Sequence, residues 1–206
     1  MNCISKYFDL DEEQNIALMR YSEMLKEWND KINLVSRKDI DQLCVRHILH
    51  SLSIAQYIDF KKSKVLDVGT GGGLPGIPLA IVFPQSSFLL IDSVGKKINT
   101  VNQIITKLGL KNIEAQQIHS KELKGKFDYI IARAVTDFRK FLPQVKHLNK
   151  KGNSGSLPNG IIYLKGGDFN FEISQFKSNT IVKNISDFFE EEFFETKKIV
   201  HYKFKK

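Results

Sequence analysis

Cysteine, tryptophan and proline are scarce in this 206-residue chain, which has two, one and five of them. Cys3 and Cys44 form no C-x-x-C and lie far apart in sequence, so inert thiols in a reducing compartment are expected and nothing suggests a disulfide. No window approaches the ~18 unbroken apolar residues of a membrane-spanning helix. The first residues carry Asp9, Asp11, Glu12 and Glu13 where a secretory signal needs an apolar core, so no targeting segment is visible and a cytoplasmic protein is expected. Glycine and proline together make only 18 of 206 residues, which excludes collagen-like and largely disordered polymers. There is no G-x-S-x-G, and His119, His147 and His201 have no triad partner at a recognisable spacing, so hydrolase chemistry has no support.

What is present is an ordinary globular share of hydrophobic residues, 42%, and a basic excess of +8. The excess is uneven: residues 1–60 hold 7 basic and 10 acidic side chains, whereas 61–206 hold 24 and 13. A basic domain of this kind attracts polyanions, nucleic acid above all, although a merely soluble basic surface explains the charge as well.

Apolar positions Ala17, Tyr21, Met24, Leu25, Trp28 and Ile32 recur every three or four residues and predict one amphipathic helix. Ile40, Leu43, Cys44, His47, Ile48, Leu52, Ala55 and Ile58 predict a second, with Asp39 as its N-cap. After Lys64 the texture becomes short apolar runs separated by helical segments, the pattern of a parallel sheet with crossover helices. Strands are expected at 64–68, 88–91, 113–117, 127–132 and 161–164, and helices at 75–83, 96–108 and 138–147. The fold class is therefore α/β, doubly wound and mostly parallel, with residues 1–60 as an N-terminal helical extension and 61–206 as the main domain. Residues 149–159, NKKGNSGSLPN, lack periodicity and predict a mobile surface loop. In the tail, Ile199, His201 and Lys203 alternate with Val200, Tyr202 and Phe204, which predicts a closing hairpin.

The informative segment is VLDVGTGGGLPGIPLA, Val65 to Ala80, with five glycines within eight residues between a strand and a helix. A nucleoside triphosphate loop needs G-x-x-x-x-G-K-[ST], and after Gly71 and Gly76 the next residues are Ile77 and Pro78, so that ligand is excluded. Gly71, Gly73 and Gly76 satisfy the dinucleotide pattern G-x-G-x-x-G, but the strand exit is Gly69, which puts that pattern out of phase. Read from the exit, Asp67-x-Gly69-x-Gly71-x-Gly73 resembles the loop of S-adenosylmethionine-dependent methyltransferases. Asp92, closing the second strand, would then accept from both ribose hydroxyls.

The resemblance extends to a family. LKEWNDKINLVS (25–36), VRHILHSL (45–52), DVGTGGGLPGIPLAI (67–81), LLIDSVGKK (89–97), IIARAV (130–135) and YLKGG (163–167) stand in the order found in the small-subunit ribosomal RNA methyltransferase G family, also called glucose-inhibited division protein B. The resemblance implies a Rossmann-like class I methyltransferase that moves a methyl group from S-adenosylmethionine to N7 of a guanine in 16S ribosomal RNA. It implies cofactor contacts at Gly69 and Leu74, at Ser120 and Lys121, and at Arg133, beside the motif positions Gly71, Gly73 and Asp92. His50 stands where the family usually has an acid, the loop at 150–158 replaces a short turn, and little similarity is visible past Gly167.

Cys44, His47 and His50 are spaced by three, but at 100° per residue Cys44 and His50 are about 240° apart, so no metal site is expected. His47 is expected to be a hydrogen-bonded core histidine. Arg46 and Lys165 are candidate RNA contacts, Lys165 because ligands of open α/β sheets sit outside the strand carboxyl ends. The lysine pairs 96–97, 150–151 and 205–206 are solvated faces or a phosphate track. Guanine N7 carries an in-plane lone pair and no proton, so no catalytic acid or base is expected. Competing readings are an adenosylmethionine-holding RNA-binding or assembly protein without turnover, and a nicotinamide oxidoreductase. A monomer is the default.

Overall fold

The computed structural model describes residues 2–133 and 135–204. A seven-stranded sheet forms the centre, built from β1 (Lys64–Val68), β2 (Ser87–Asp92), β3 (Ile113–Gln117), β4 (Tyr129–Arg133), β5 (Gly160–Gly166), β6 (Thr180–Asn184) and β7 (Lys197–Lys203). Its order is β3-β2-β1-β4-β5-β7-β6, parallel except that β7 runs antiparallel to both neighbours. The closing hairpin predicted from the tail is therefore β6–β7, with β7 as its inner strand.

Strict alternation along buried strands supplies two cores. Val65, Tyr129, Ile131, Ile162, Leu164 and Ile199 face one layer, while Leu66, Val68, Ile130, Ile161, Tyr163 and Val200 face the other. The first layer is covered by α2 (Glu12–Asn29), α3 (His50–Tyr57), α4 (Gly76–Val82) and α5 (Gly95–Leu108), the second chiefly by α6 (Phe138–Val145) and α7 (Asn170–Ile173). Leu18, Tyr21 and Leu25 of α2 belong to the same buried cluster as β1 and β4. No helix among the described residues is long and apolar enough to cross a membrane.

Three expectations are corrected. The second N-terminal helix is not continuous: residues 37–42 form a 3₁₀ turn, Cys44–Leu49 a π-helical turn, and only His50–Tyr57 is α-helical. Asp39 does not cap it; its carboxylate pairs with Arg46 at 2.5 Å. Cys3 and Cys44 are joined as a disulfide, because α1 (Asn2–Ser5) packs onto the π-turn and brings the two Cα atoms to 6.6 Å. Their 41-residue separation says nothing about distance in the fold.

The segment at 149–159 is tethered, not mobile. Ser156 N–H donates to the Asp59 carbonyl at 2.8 Å, and the buried Asn159 amide donates to Lys150 O, Ser154 Oγ and Asp128 Oδ1. The loop closes the amino ends of β1, β4 and β5, opposite the edge where ligands of such sheets bind.

Candidate functional site

Strand order reverses between β1 and β4, so the loops leaving their carboxyl ends diverge and open a crevice. The loop after β1 lines it. Gly69, Gly71 and Gly73 adopt φ values of +72°, +59° and +96°, a region that side chains resist. A Cβ on Gly69 would also meet Val135 Cγ2 at 2.8 Å.

Asp67 and Asp92 hold this loop. Asp67 Oδ2 accepts from Thr70 Oγ1 at 2.6 Å and from Gly76 N–H at 3.0 Å, so one buried carboxylate oxygen bridges the loop to the first turn of α4. Burial pushes its carboxyl up to about 7, against the bonds from Thr70 and Gly76. Asp92 Oδ2 accepts from Gly71 N–H at 3.0 Å and its Oδ1 from Val94 N–H at 2.9 Å. From the other side, the buried Tyr21 hydroxyl of α2 donates to the Gly72 carbonyl at 3.0 Å.

Two cavities flank the loop and share Gly69, Lys97 and Arg133. One, of about 380 Å³, runs between the ends of β1, β2 and β3 past Ile91, Asp92, Ile118 and Ser120. The other, of about 410 Å³, lies between the glycine loop and the N-terminal turns, bounded by Leu74, Arg46, His47, His50, Phe193 and Lys197. Both fall in the range of small-ligand sites.

Of the cofactor positions expected from sequence, Gly69, Gly71, Leu74, Asp92, Ser120 and Arg133 border these cavities. Gly73 is buried behind the loop, with Ile77 and the Tyr21 hydroxyl around its Cβ position, and shapes the turn without lining a cavity. Lys121 is exposed and borders neither.

Arg46 does reach the second cavity, where its guanidinium pairs with Asp39 and lies 5.6 Å from the centre of the Phe193 ring. Lys165 points elsewhere: its ammonium is bound by Glu172 at 2.7 Å and reaches Thr136 O at 3.4 Å, and Glu172 in turn accepts from Phe138 N–H. With the Tyr163 hydroxyl, which donates to Thr136 O and accepts from Thr136 N–H, it fixes the turn after β4. Of the lysine pairs, Lys97 borders both cavities, Lys150 pairs with Asp128 at the far edge of the sheet, and Lys205 and Lys206 lie outside the described residues. Among the described residues, Lys97 and Lys150 do not lie on one track.

His47 is buried, but it is not hydrogen-bonded as expected: neither ring nitrogen has a partner. Burial and the nearby Arg133 pull its pKa down to about 4. His50 is buried beside it, edge-on to Phe193 at 5.6 Å, and its pKa is likewise pulled well below the usual value by burial, Arg133 and Lys197. Phe193 and Lys197 carried no signal in the sequence, because the tail shows no motif and the contact joins residues more than 140 positions apart.

A family model described as rRNA small subunit methyltransferase G matches residues 14–200. The ribosomal RNA small subunit methyltransferase G of Flavobacterium johnsoniae is 48% identical over 203 residues, which cover 98% of this chain and 97% of that protein. That of Bacteroides thetaiotaomicron is 44% identical over 203 residues, covering 98% of each. Among solved structures, a precorrin-6y C5,15-methyltransferase from Geobacter metallireducens superposes with a TM-score of 0.57 at 10% identity, covering 84% of this chain and 92% of that one. A ribosomal protein L11 methylase from Lactobacillus delbrueckii gives 0.56 at 18% identity, covering 76% and 77%. These likenesses show a Rossmann-like fold shared with methyltransferases.

Proposed function

The chain belongs to the rRNA small subunit methyltransferase G family and is an S-adenosylmethionine-dependent rRNA methyltransferase, and from this premise we propose which of its residues hold the cofactor and the guanine whose N7 is methylated. The carrying observation is that two cavities meet at Gly69 and Arg133, at the carboxyl edge where the strand order reverses. The one past Asp92 and Ser120 takes the cofactor, and the one bounded by His47, His50 and Phe193 takes the base.

The residues present fit the cofactor. Asp92, at the end of β2, offers carboxylate oxygens to ribose hydroxyls, and Ser120 lies across the same cavity. Gly69 lets the main chain pass between the two cavities, where the Cβ of any other residue would press on Val135. Arg133 stays charged even when buried and suits the amino-acid carboxylate. Gly71, which Asp92 holds through its N–H, and Leu74 face the neighbouring cavity across the loop.

Bound S-adenosylmethionine would supply an electrophilic methyl group for transfer to N7, with the carbon–sulfur electron pair left on sulfur and the positive charge on the purine. Since N7 has no proton to lose, the protein needs no general base, and its contribution is alignment, which can supply ~7–11 kcal/mol. Tyr21, Asp67 and Asp92 hold the glycine loop rigid from three sides, and Tyr163, Lys165 and Glu172 fix the turn after β4. Both loops that frame the reaction are thus held in place by the protein before the base arrives.

The target base must leave its stack to reach a cavity at the carboxyl edge of the sheet, which favours a single-stranded or loop guanine. Residues 1–60 act as a helical extension to the 61–206 methyltransferase domain, and the enzyme works in the cytoplasm as a monomer on 16S rRNA or the small subunit. The test is methyl transfer from labelled S-adenosylmethionine to purified small-subunit RNA and to intact 30S particles, with the modified base mapped. Label in a single N7-methylguanine is expected. Cofactor binding without transfer to either substrate would point to a binding or assembly role instead.

A further inference from the structure

In the cavity assigned to the base, polar groups are buried without partners. His47 and His50 are 8% and 7% exposed, and His47 Nδ1, His47 Nε2 and His50 Nε2 have no hydrogen-bond partner. A buried polar atom left unpaired is costly, and one facing a binding cavity finds its partner in the ligand. His50 is the better defined of the two. Its ring donates to the Arg46 backbone carbonyl, and because Nε2 is the unpartnered nitrogen, the donor is Nδ1–H. The ring is neutral, since burial together with Arg133 and Lys197 disfavours a second proton. Its Nε2 is therefore a bare acceptor with a fixed tautomer.

The surroundings say what kind of donor it meets. Phe193 stands edge-on to His50 and forms an apolar wall, with the Lys197 ammonium 4.7 Å and the Arg46 guanidinium 5.6 Å from its ring centre. Lys97 and Arg133 add two more cations to the lining. An aromatic wall flanked by cations suits a nucleobase carried on a phosphodiester backbone. Guanine presents an N1–H donor on the edge beyond O6, about a right angle round the ring from N7, so a base whose N7 faces the cofactor turns that edge to the side, along the cavity wall that His50 lines.

We propose that His50 is a specificity-determining residue, whose Nε2 accepts the N1–H of the target guanine while Phe193 backs the ring. The proposal rests on the methyltransferase reading and deepens it. Adenine and 2-aminopurine keep N7 but have a lone pair at N1, which would oppose the lone pair of Nε2. Selection then comes from a position that takes no part in the bond changes.

The test uses the full-length enzyme and small-subunit RNA in which the target position carries guanine or 2-aminopurine. His50→Ala is expected to lower kcat/KM on guanine about 10- to 100-fold, the worth of one hydrogen bond to a buried acceptor. It should leave cofactor affinity within about twofold and shrink the preference for guanine over 2-aminopurine by a similar factor. His50→Gln, which keeps an acceptor, should recover part of the loss and serves if the alanine variant does not fold. Equal losses on both bases would overturn the proposal in favour of a structural role, and a parallel loss of cofactor affinity would assign His50 to the amino-acid end of the cofactor. Failure of the unaltered enzyme to methylate guanine in any form of the substrate would sink the methyltransferase reading itself.

Discussion

Replacing Asp67 by asparagine should change how stability depends on pH, in a direction the buried groups dictate. In the folded protein the Asp67 carboxyl is pushed from 3.8 up to about 7 by burial. Its protonated form is thus favoured by folding: the stabilisation is complete below pH 3.8 and is lost as pH rises through about 7. At 1.36 kcal/mol for each pKa unit, that amounts to about 4 kcal/mol. His47 and His201 act with the opposite sign. Each is buried neutral with its pKa drawn from 6.5 down to about 4, so each contributes stability that is complete above pH 6.5 and is lost as pH falls through about 4, on the order of 3 kcal/mol apiece. The unaltered protein therefore shows the sum of opposing slopes, and its own profile does not isolate Asp67.

The difference between variant and parent does isolate it. Asparagine keeps an oxygen for Thr70 and Gly76 and cannot ionise, so any loss from imperfect packing is the same at every pH. From pH 4 to pH 8 the stability of Asp67→Asn should rise relative to the parent by about 4 kcal/mol, which for a chain of this length is a relative shift in Tm on the order of 10 °C. Paired thermal melts across that range, monitored by circular dichroism, read it directly. A difference between the two proteins that stays constant with pH would refute the burial argument.

Other perturbations probe the loop and the RNA surface. Gly69→Glu places a side chain at φ +72° and against Val135 beside the Asp92 carboxylate; calorimetry should show cofactor binding abolished while circular dichroism shows the fold retained. Tyr21→Phe leaves the buried Gly72 carbonyl without its donor, at a cost of about 1–3 kcal/mol in denaturant unfolding, together with weaker cofactor binding. Affinity for RNA should fall steeply and linearly in a plot of log K against log salt, as counterion release requires, and a flat response would remove the polyanion argument.

Much of this architecture is visible in the chain before any folding. β1 coincides with the apolar run at 64–68, because a strand buried in a parallel sheet has little choice of composition, and β3 falls at the expected 113–117 although, at the sheet edge, it buries only Ile113 and Ala115. The start of α2 lies ahead of its apolar stripe, which begins at Ala17, because the helix is opened by a capping box between Asp11 and Gln14. Apolar spacing also conceals the π-turn at Cys44–Leu49, because widening one turn leaves the composition unchanged while rotating the residues beyond it. Thus His47 and His50 both reach the cavity, while Cys44 bonds to Cys3. Composition marks 149–159 as irregular but carries no sign of the Asp128 and Asn159 bonds that hold it. Gly69, Asp92 and Arg133 are legible because a glycine loop and strand ends define an edge; Phe193 is not, because only the folded tail brings it there.

The order in which the cavity walls occur along the chain has a consequence for synthesis. The glycine loop, Asp92, Ser120 and Arg133 all precede β5, whereas Phe193 and Lys197 arrive only after β6. During translation, then, the parts that hold the donor, and Arg46, His47 and His50 on the acceptor side, are made before the aromatic wall that completes the acceptor cavity. The tail that carries this wall is also fastened to the first segment made: Lys6 pairs with Glu190, and the Tyr7 hydroxyl donates to Glu191 beside Phe189. A chain released before the tail would lack Phe193 and Lys197, so the acceptor cavity gains its aromatic wall only in the final stretch of decoding.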